Sequence, residues 1–148
     1  MRLEIAPRSR PIDRPPFVWI AVTLEVMTGI LAVPVGWSFI QDPTGRALGI
    51  PQGWIEATPF GSYLIPGLYL LGINGIGMVA LAALTVRRHW VAPWLTGTLG
   101  VGLIVWIGVQ IVVLPETMIL TWVFLSIGVA LGLIALFWLR RTGQIRLW

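Results

Sequence analysis

Four apolar runs dominate the sequence, and each is long enough to cross a membrane as a helix. A helix needs about 20 apolar residues to span the hydrocarbon core of a bilayer. The runs cover about residues 17–40, 60–86, 90–114 and 118–139. They are continuous, without the alternation of barrel strands, and a segment in lipid must satisfy its own backbone hydrogen bonds. The sequence therefore predicts an all-α integral membrane protein, an up-down four-helix bundle whose helices we call spans 1 to 4.

Composition supports this fold class and excludes several kinds of site. Hydrophobic residues make up 57% of the 148 residues and charged residues 11%, whereas a soluble domain is about 25% charged. The chain has no cysteine, and its ten basic residues are all arginine. Disulfides, thiolate-bound metals and lysine Schiff bases are therefore excluded. We expect no metal, no cofactor and no assembled catalytic set.

The arginines predict which way the chain crosses the membrane. Four precede span 1, two lie between spans 2 and 3, and three follow span 4, which leaves only Arg46 at the opposite side. Positive charges beside a span stay in the cytoplasm. The pattern predicts a multi-pass protein of the prokaryotic cytoplasmic (inner) membrane, with basic cytoplasmic tails over residues 1–16 and 140–148. The net charge of +4 then indicates contact with anionic lipids, with no nucleic-acid partner.

The one long connection, residues 41–60, joins spans 1 and 2 on the outer side. Asp42-Pro43-Thr44-Gly45 has the residue types of a β-turn, and Pro51 can open a short helix that runs to Glu56. That helix could lie flat on the outer leaflet. Two roles are open for the loop: a lid that closes the outer end of the bundle, or a surface that contacts a substrate or partner.

Glu25 is the one charge-capable residue predicted inside the bilayer. It lies about 12 Å into span 1 at 1.5 Å per residue, where a carboxylate is costly, so we expect it to face the bundle interior. Its stripe at helical spacing holds small and polar residues suited to close helix contact: Thr28, Gly29, Ala32 and Gly36. Depth suggests Asn74 or Trp106 as its hydrogen-bond partner. A buried structural acid, a proton- or cation-coupling site and an acid that anchors a ligand are all compatible with this placement.

Spans 2 and 3 carry further small and polar residues. Gly72 and Gly75 would let span 1 approach span 2, and Thr98, Gly102, Trp106 and Gln110 recur every four residues in span 3. The candidate binding or proton-coupling residues are Glu25, Asn74, Trp106 and Gln110. The candidate helix-packing residues are Gly29, Ala32, Gly36, Gly72, Gly75 and Gly102.

Two resemblances add to this picture. Residues 21–29, Ala-Val-Thr-Leu-Glu-Val-Met-Thr-Gly, resemble the first helix of small multidrug resistance transporters, which implies that Glu25 binds protons and cationic molecules. The chain departs from that family in its long outer loop and in its third span, which lacks the family's Gly- and Pro-containing pattern. Only the chemistry of Glu25 is therefore carried over.

A wider set of elements over spans 1 to 3 resembles small prokaryotic four-span membrane proteins of unassigned function. These elements are Asp42-Pro43-x-Gly45, Leu48-Gly49, Pro59-Phe60, Tyr63-Leu64-Ile65-Pro66-Gly67, Asn74-Gly75 and the Trp106/Gln110 pair. The resemblance implies the four-span fold and no particular activity.

Three functions are open at this point. The residues favour a non-enzymatic accessory, assembly or lipid-contacting subunit, with membrane lipids and either other membrane subunits or further copies of the chain as partners. The first alternative is a small proton- or cation-coupled transporter that uses Glu25. The second is a quinone- or lipid-binding membrane enzyme or sensor, with its site between spans 1, 2 and 3.

Overall fold

The computed structural model of the chain describes residues 15–56, 58–115 and 118–144. Within these ranges the secondary structure is helical, with no strand, and four helices are long and apolar enough to cross a membrane. They are span 1 (Val18–Gln41), span 2 (Leu64–Val86), span 3 (Ala92–Val113) and span 4 (Ile119–Arg141). The predicted all-α four-span architecture of an integral membrane protein is confirmed.

The ends of the chain extend beyond the described residues. Most of the predicted tail 1–16, and residues 145–148 of the predicted tail 140–148, lie outside them. Span 4 runs past its predicted limit at residue 139 and takes Arg140 and Arg141 into its last turn. Cations in that position interact favourably with the negative end of the helix dipole.

Span 1 buries a single stripe along its length. The stripe contains the predicted residues Glu25, Thr28, Gly29, Ala32 and Gly36. Their spacing of three or four residues keeps them on one helix face. The other side of span 1 is exposed and apolar, as a surface against lipid requires; it includes Ile20, Met27, Ile30 and Trp37.

Spans 1 and 2 form an antiparallel hairpin in which the two backbones approach closely at glycines. A Cβ atom on Gly36 would lie 2.5 Å from the backbone nitrogen of Leu71, and one on Gly29 would lie 3.0 Å from the carbonyl oxygen of Gly75. Small residues permit such contact between membrane helices, where van der Waals packing drives association. We call this contact the first glycine seam.

Spans 3 and 4 form a second antiparallel hairpin with its own seam. A Cβ atom on Gly100 would lie 3.0 Å from the carbonyl oxygen of Gly128, and one on Gly128 would lie equally close to the carbonyl oxygen of Gly100. Both hairpins are therefore held by close backbone contact at glycines, although their sequences show no internal repeat.

Two of the predicted packing glycines lie outside these seams. Gly72 is exposed, and nothing lies within 4 Å of the position of a Cβ atom there. The prediction assumed α-helical spacing, but Leu70–Gly77 is a π-helical segment. Its i→i+5 hydrogen bonds widen the turn, so residues three apart no longer share a face. A Cβ atom on Gly102 would make only an ordinary contact, 3.6 Å from the hydroxyl oxygen of Tyr69.

The two hairpins pack together most firmly at one end of the bundle. That end carries Arg87, Arg88, Arg140 and Arg141, and we call it the arginine-rich end; the opposite end is the loop end. At the arginine-rich end the hairpins share a small buried cluster: Val18, Ala92 and Trp138. Toward the middle they share a larger one: Ala21, Met78, Leu81, Leu103, Ile107, Ile127 and Leu131.

The long connection between spans 1 and 2 begins with the predicted turn. The Gly45 amide donates to the Asp42 carbonyl oxygen over 3.1 Å. The Asp42 carboxyl then accepts from the backbone amides of Thr44, at 3.1 Å, and Ala47, at 2.9 Å. One side chain therefore satisfies two backbone donors and fixes the direction in which the loop leaves span 1.

The second half of the connection contains the predicted short helix, Gly53–Glu56. Ile55 on this helix is only 2% exposed. It packs with Phe39 at the end of span 1 and with Tyr63 just before span 2, and the Phe39 and Tyr63 rings stack with centroids 4.7 Å apart. The apolar side of the helix is thus turned onto the bundle, so the connection covers the loop end as a lid.

At neutral pH, replacing Asp42 with alanine should loosen the first half of the lid. The Thr44 hydroxyl, followed by the Ala47 amide, holds the pKa of the Asp42 carboxyl below its usual range. A carboxyl whose pKa is lowered by folding stabilises the fold above its unfolded pKa, about 3.9, and loses this contribution as pH falls through the folded pKa. Amide hydrogen exchange over residues 43–48 should therefore be faster in the variant at neutral pH.

The difference between the two proteins should become smaller at a pH below the folded pKa of Asp42, because the protonated carboxyl keeps one acceptor oxygen. Asp42→Asn keeps one acceptor oxygen and should show intermediate exchange. Equal exchange in the wild type and Asp42→Ala at neutral pH would mean that the carboxyl does not hold the turn.

Candidate functional site: a cavity between the hairpins

A cavity of about 360 Å³ lies between the two hairpins, in the half of the bundle next to the lid. All four spans and the lid contribute to its wall. Span 1 lines it from Thr28 to Phe39, span 2 from Pro66 to Asn74, and span 3 from Leu103 to Val113. The hairpins are joined at the arginine-rich end and diverge toward the lid, and the cavity is the space between them.

Aromatic side chains close the side of the cavity between spans 2 and 3. The Tyr69 ring stacks on the Trp106 ring with centroids 4.3 Å apart, and the Tyr69 hydroxyl donates to the Gly102 carbonyl oxygen over 3.3 Å. Phe60 from the lid adds a tilted contact at 6.3 Å from the Trp106 ring. Two spans that belong to different hairpins are thus held together on this side.

The side between spans 1 and 4 is open to the lipid. Leu31 of span 1 and Leu120 of span 4 both line the cavity, and their side chains are 44% and 50% exposed. Residues that border both the cavity and the lipid-facing surface mark an opening within the depth of the membrane. We call this opening the lateral window.

Three buried polar atoms in the cavity wall lack a hydrogen-bond partner among the described residues. They are Thr28 Oγ1, Asn74 Oδ1 and Trp106 Nε1, and all three residues line the cavity. Thr28 is 1% exposed and Asn74 is 2% exposed. Leaving such an atom unpaired costs about 1–3 kcal/mol, and native proteins keep few of them. Their concentration around one cavity therefore identifies it as the candidate site.

The local backbone explains why Asn74 reaches this wall. Asn74 lies within the π-helical segment Leu70–Gly77, and such segments are frequent at functional sites because they re-aim side chains. Its chain neighbour Gly75 contacts span 1, where a Cβ atom would lie 2.8 Å from Val33 Cγ2. Asn74 is thereby held against span 1 with its amide beside the cavity.

Glu25 forms a separate polar site at the arginine-rich side of the cavity. It is fully buried. The Thr96 hydroxyl of span 3 donates to Glu25 Oε1 over 2.9 Å, and the Thr85 hydroxyl of span 2 donates to Oε2 over 3.4 Å. One carboxyl therefore links three spans and joins the two hairpins.

These contacts correct the predicted partners of Glu25, which were Asn74 or Trp106. The prediction compared depths along the helix axes, but a helical side chain leans toward the N-terminus of its helix. The Glu25 carboxyl is therefore displaced toward the arginine-rich end. There it meets Thr85, near the end of span 2, and Thr96, near the start of span 3.

Three of the four candidate residues come together at the cavity. Asn74, Trp106 and Gln110 line it, and Glu25 does not. Thr28 was expected only as part of the stripe on span 1, and its place beside Asn74 was not foreseen. Thr98, from the predicted stripe on span 3, is exposed and lies away from the cavity.

No described residue in the cavity wall is charged. The lining residues that carry a polar group in their side chains are Thr28, Trp54, Tyr63, Asn74, Trp106, Gln110 and Thr121, and the others are apolar. Among the described residues, no group of three His, Asp or Glu side chains is placed to hold a metal ion. The wall therefore offers hydrogen bonds and dispersion contacts to an occupant.

Comparisons of the chain with protein-family models, with curated proteins and with solved structures find no match. No family is therefore assigned to it.

Proposed function

We propose that this integral membrane protein binds a lipid-like molecule in the cavity between its hairpins and does not convert it chemically. Such a role suits a lipid-contacting or accessory subunit. The observation that supports it is a cavity of about 360 Å³ with an apolar wall and a few buried polar atoms. Small-molecule sites are typically about 300–1,000 Å³ and combine an apolar lining with a few placed polar groups.

The lateral window supports the bilayer as the source of the occupant. Leu31 and Leu120 border the window, and the lid covers the loop end with Ile55 and Tyr63 buried beneath it. A molecule that partitions into lipid can pass the window without crossing an aqueous phase.

Photolabelling from within the bilayer tests this function. A hydrocarbon diazirine dissolved in phosphatidylcholine liposomes should label Trp106 and Gln110, which line the cavity. It should also label Val101 and Val105, which are 55% and 60% exposed on the same span and serve as the reference for labelling directly from lipid. Mass spectrometry of the peptides gives the ratio of the two sets.

Filling the cavity should change that ratio. Ala32→Phe places a ring in the cavity wall, where Ala32 is 4% exposed, and should lower cavity labelling several-fold relative to Val101 and Val105. Ala80→Phe adds the same ring on an exposed face of span 2 and should leave the ratio unchanged. Labelling of Val101 and Val105 alone in the wild type would refute the proposal.

Glu25 supports a second candidate function, proton- or cation-coupled transport. Its carboxyl is fully buried, and its hydrogen bonds among the described residues come from two threonine hydroxyls. A carboxyl without a fixed cationic partner can exchange a proton for another cation. Glu25 does not line the cavity, so coupling through the cavity would require the side chains around Glu25 to move.

We further propose that the arginine-rich end faces the cytoplasm of a prokaryotic cell and that the lid faces outward. Arg87, Arg88, Arg140 and Arg141 are exposed at one end of the bundle, and Arg46 lies in the lid. This asymmetry supports the orientation because cytoplasmic loops carry an excess of positive charge.

A further inference from the structure

We infer that the cavity takes an uncharged, single-chain lipid with a free hydroxyl group, the class of the long-chain and prenyl alcohols. This inference rests on the proposed function and adds the chemical class of the occupant. It depends on three features of the wall: which hydrogen bonds its unpaired atoms can make, where those atoms lie, and the absence of charge among the described residues that line it.

The unpaired atoms require both a donor and an acceptor. Asn74 Oδ1 can only accept a hydrogen bond, Trp106 Nε1 can only donate one, and the Thr28 hydroxyl can do either. A single alcohol group meets both demands, because its hydrogen can go to Asn74 while its oxygen accepts from Trp106 or Thr28. An ether or an ester offers no hydrogen and would leave Asn74 unpaired.

These atoms lie at the inner end of the cavity. Thr28 and Asn74 are the lining residues of spans 1 and 2 closest to the arginine-rich end. Their backbones lie at similar depth, since their chain neighbours Gly29 and Gly75 are in contact across the first glycine seam. Because helical side chains lean toward the N-terminus, Asn74 leans toward the loop end and Trp106 leans the opposite way, which brings their depths together.

A ligand can approach these atoms only after the side chains that cover them rotate. Each atom is covered by its neighbours, but an amide and a hydroxyl turn about soft terminal torsions. The Trp106 ring is positioned by its stack on Tyr69. A ligand hydroxyl at the inner end would thus be hydrogen-bonded there, and the hydrocarbon chain would extend past Leu31 toward the lateral window.

The lining excludes charged head groups. None of the described residues in the wall is Asp, Glu, Arg or His, so a phosphate or carboxylate at the inner end would lose its water without gaining a counter-charge. The volume of about 360 Å³ lies near the lower limit for ligand sites, which favours one chain over two.

A matched set of three probes tests the inference on the full chain in phosphatidylcholine nanodiscs. Tetradecanol, its methyl ether and tetradecanoate share one chain and differ only at the head. Native mass spectrometry measures the bound fraction of each. We expect the alcohol to bind about tenfold more tightly than the ether, because one buried hydrogen bond distinguishes them, and the carboxylate to bind less than either at neutral pH.

Two variants identify the group responsible for the preference. Asn74→Leu keeps a similar volume and removes the acceptor, so the alcohol-to-ether ratio should fall to about one. Ser126→Ala removes a hydroxyl on the exposed side of span 4 and should leave the ratio at its wild-type value. Each probe also partitions into the nanodisc lipid, but this partition is the same for the wild type and both variants. It therefore cancels when their alcohol-to-ether ratios are compared.

The outcomes separate this inference from the proposed function. Equal binding of the alcohol and the ether to the wild type would overturn the proposed chemical class of the ligand and still be consistent with a lipid site. This outcome is measured on the wild type alone, so it does not depend on whether a variant folds. Binding of none of the three probes would count against both. A tenfold preference that survives in a folded Asn74→Leu protein would overturn the role assigned to Asn74.

Discussion

Gly36→Ala should destabilise the bundle by about 2 kcal/mol, although alanine is the better helix former. The added Cβ would lie 2.5 Å from the backbone nitrogen of Leu71 and 2.9 Å from the carbonyl oxygen of Gly67. Both are backbone atoms, so neither can turn aside as a side chain could. Overpacking of this kind costs about 1–3 kcal/mol or more, and the gain in helix propensity of up to about 1 kcal/mol offsets only part of it.

Gly72→Ala is the matched control for this change. It makes the same substitution in a neighbouring helix where nothing lies within 4 Å of the new atom, so its stability should equal or exceed that of the wild type. Unfolding in mixed micelles with rising dodecyl sulfate, followed by tryptophan fluorescence, measures both. Identical midpoints for the two variants would show that the first glycine seam does not govern the stability of the bundle.

Glu25→Ala should cost about 2–4 kcal/mol, because it removes a buried side chain and the two hydrogen bonds that it accepts. One bond joins span 1 to Thr85 of span 2 within the first hairpin, and the other joins span 1 to Thr96 of span 3. The variant therefore weakens both the first hairpin and its contact with the second. Glu25→Gln keeps the shape and one acceptor oxygen and should stay within about 1 kcal/mol of the wild type.

The glutamine variant also separates the two candidate functions. It cannot titrate, so pH-dependent cation uptake into proteoliposomes should disappear if Glu25 couples transport. Unchanged uptake with unchanged stability would exclude the coupling role. If Glu25→Ala and Glu25→Gln prove equally unstable, the carboxyl does more than accept the two threonine hydrogen bonds.

The four spans and the buried face of span 1 could be predicted because both depend on local pattern. Lipid leaves helix as the only structure for a long apolar run, and the spacing from Glu25 to Gly36 marks one face whichever helix packs against it. The short lid helix, Gly53–Glu56, followed from Pro51 in the same way. These features require no knowledge of which spans are neighbours.

The site could be predicted only in part because it depends on relations between spans. Asn74, Trp106 and Gln110 were identified as unusual polar residues in apolar runs. Thr85 and Thr96 were not, because a threonine in a helix can satisfy its hydroxyl on its own backbone and so carries little information. The divergence of the hairpins, which creates the cavity, has no counterpart in the sequence pattern.

The π-helical segment was the main source of error in span 2. Gly72 was placed on the packing face by α-helical spacing, and the wider turn over Leu70–Gly77 moves it to the exposed side. Two further glycines fall within the same segment, at positions 75 and 77, but no sequence rule specifies where an α-helix will widen. Gly75, which packs on Val33, kept its predicted place.

The two glycine seams also bear on how the chain is made. Each seam joins helices that are consecutive along the chain, and contacts between close neighbours in sequence form sooner than distant ones. Spans 1 and 2 can therefore pair as soon as both have entered the membrane, before spans 3 and 4 are synthesised, and the second pair can form in the same way. Assembly then consists of the docking of two formed hairpins, and the lateral window, which lies between spans 1 and 4, exists only once they have docked.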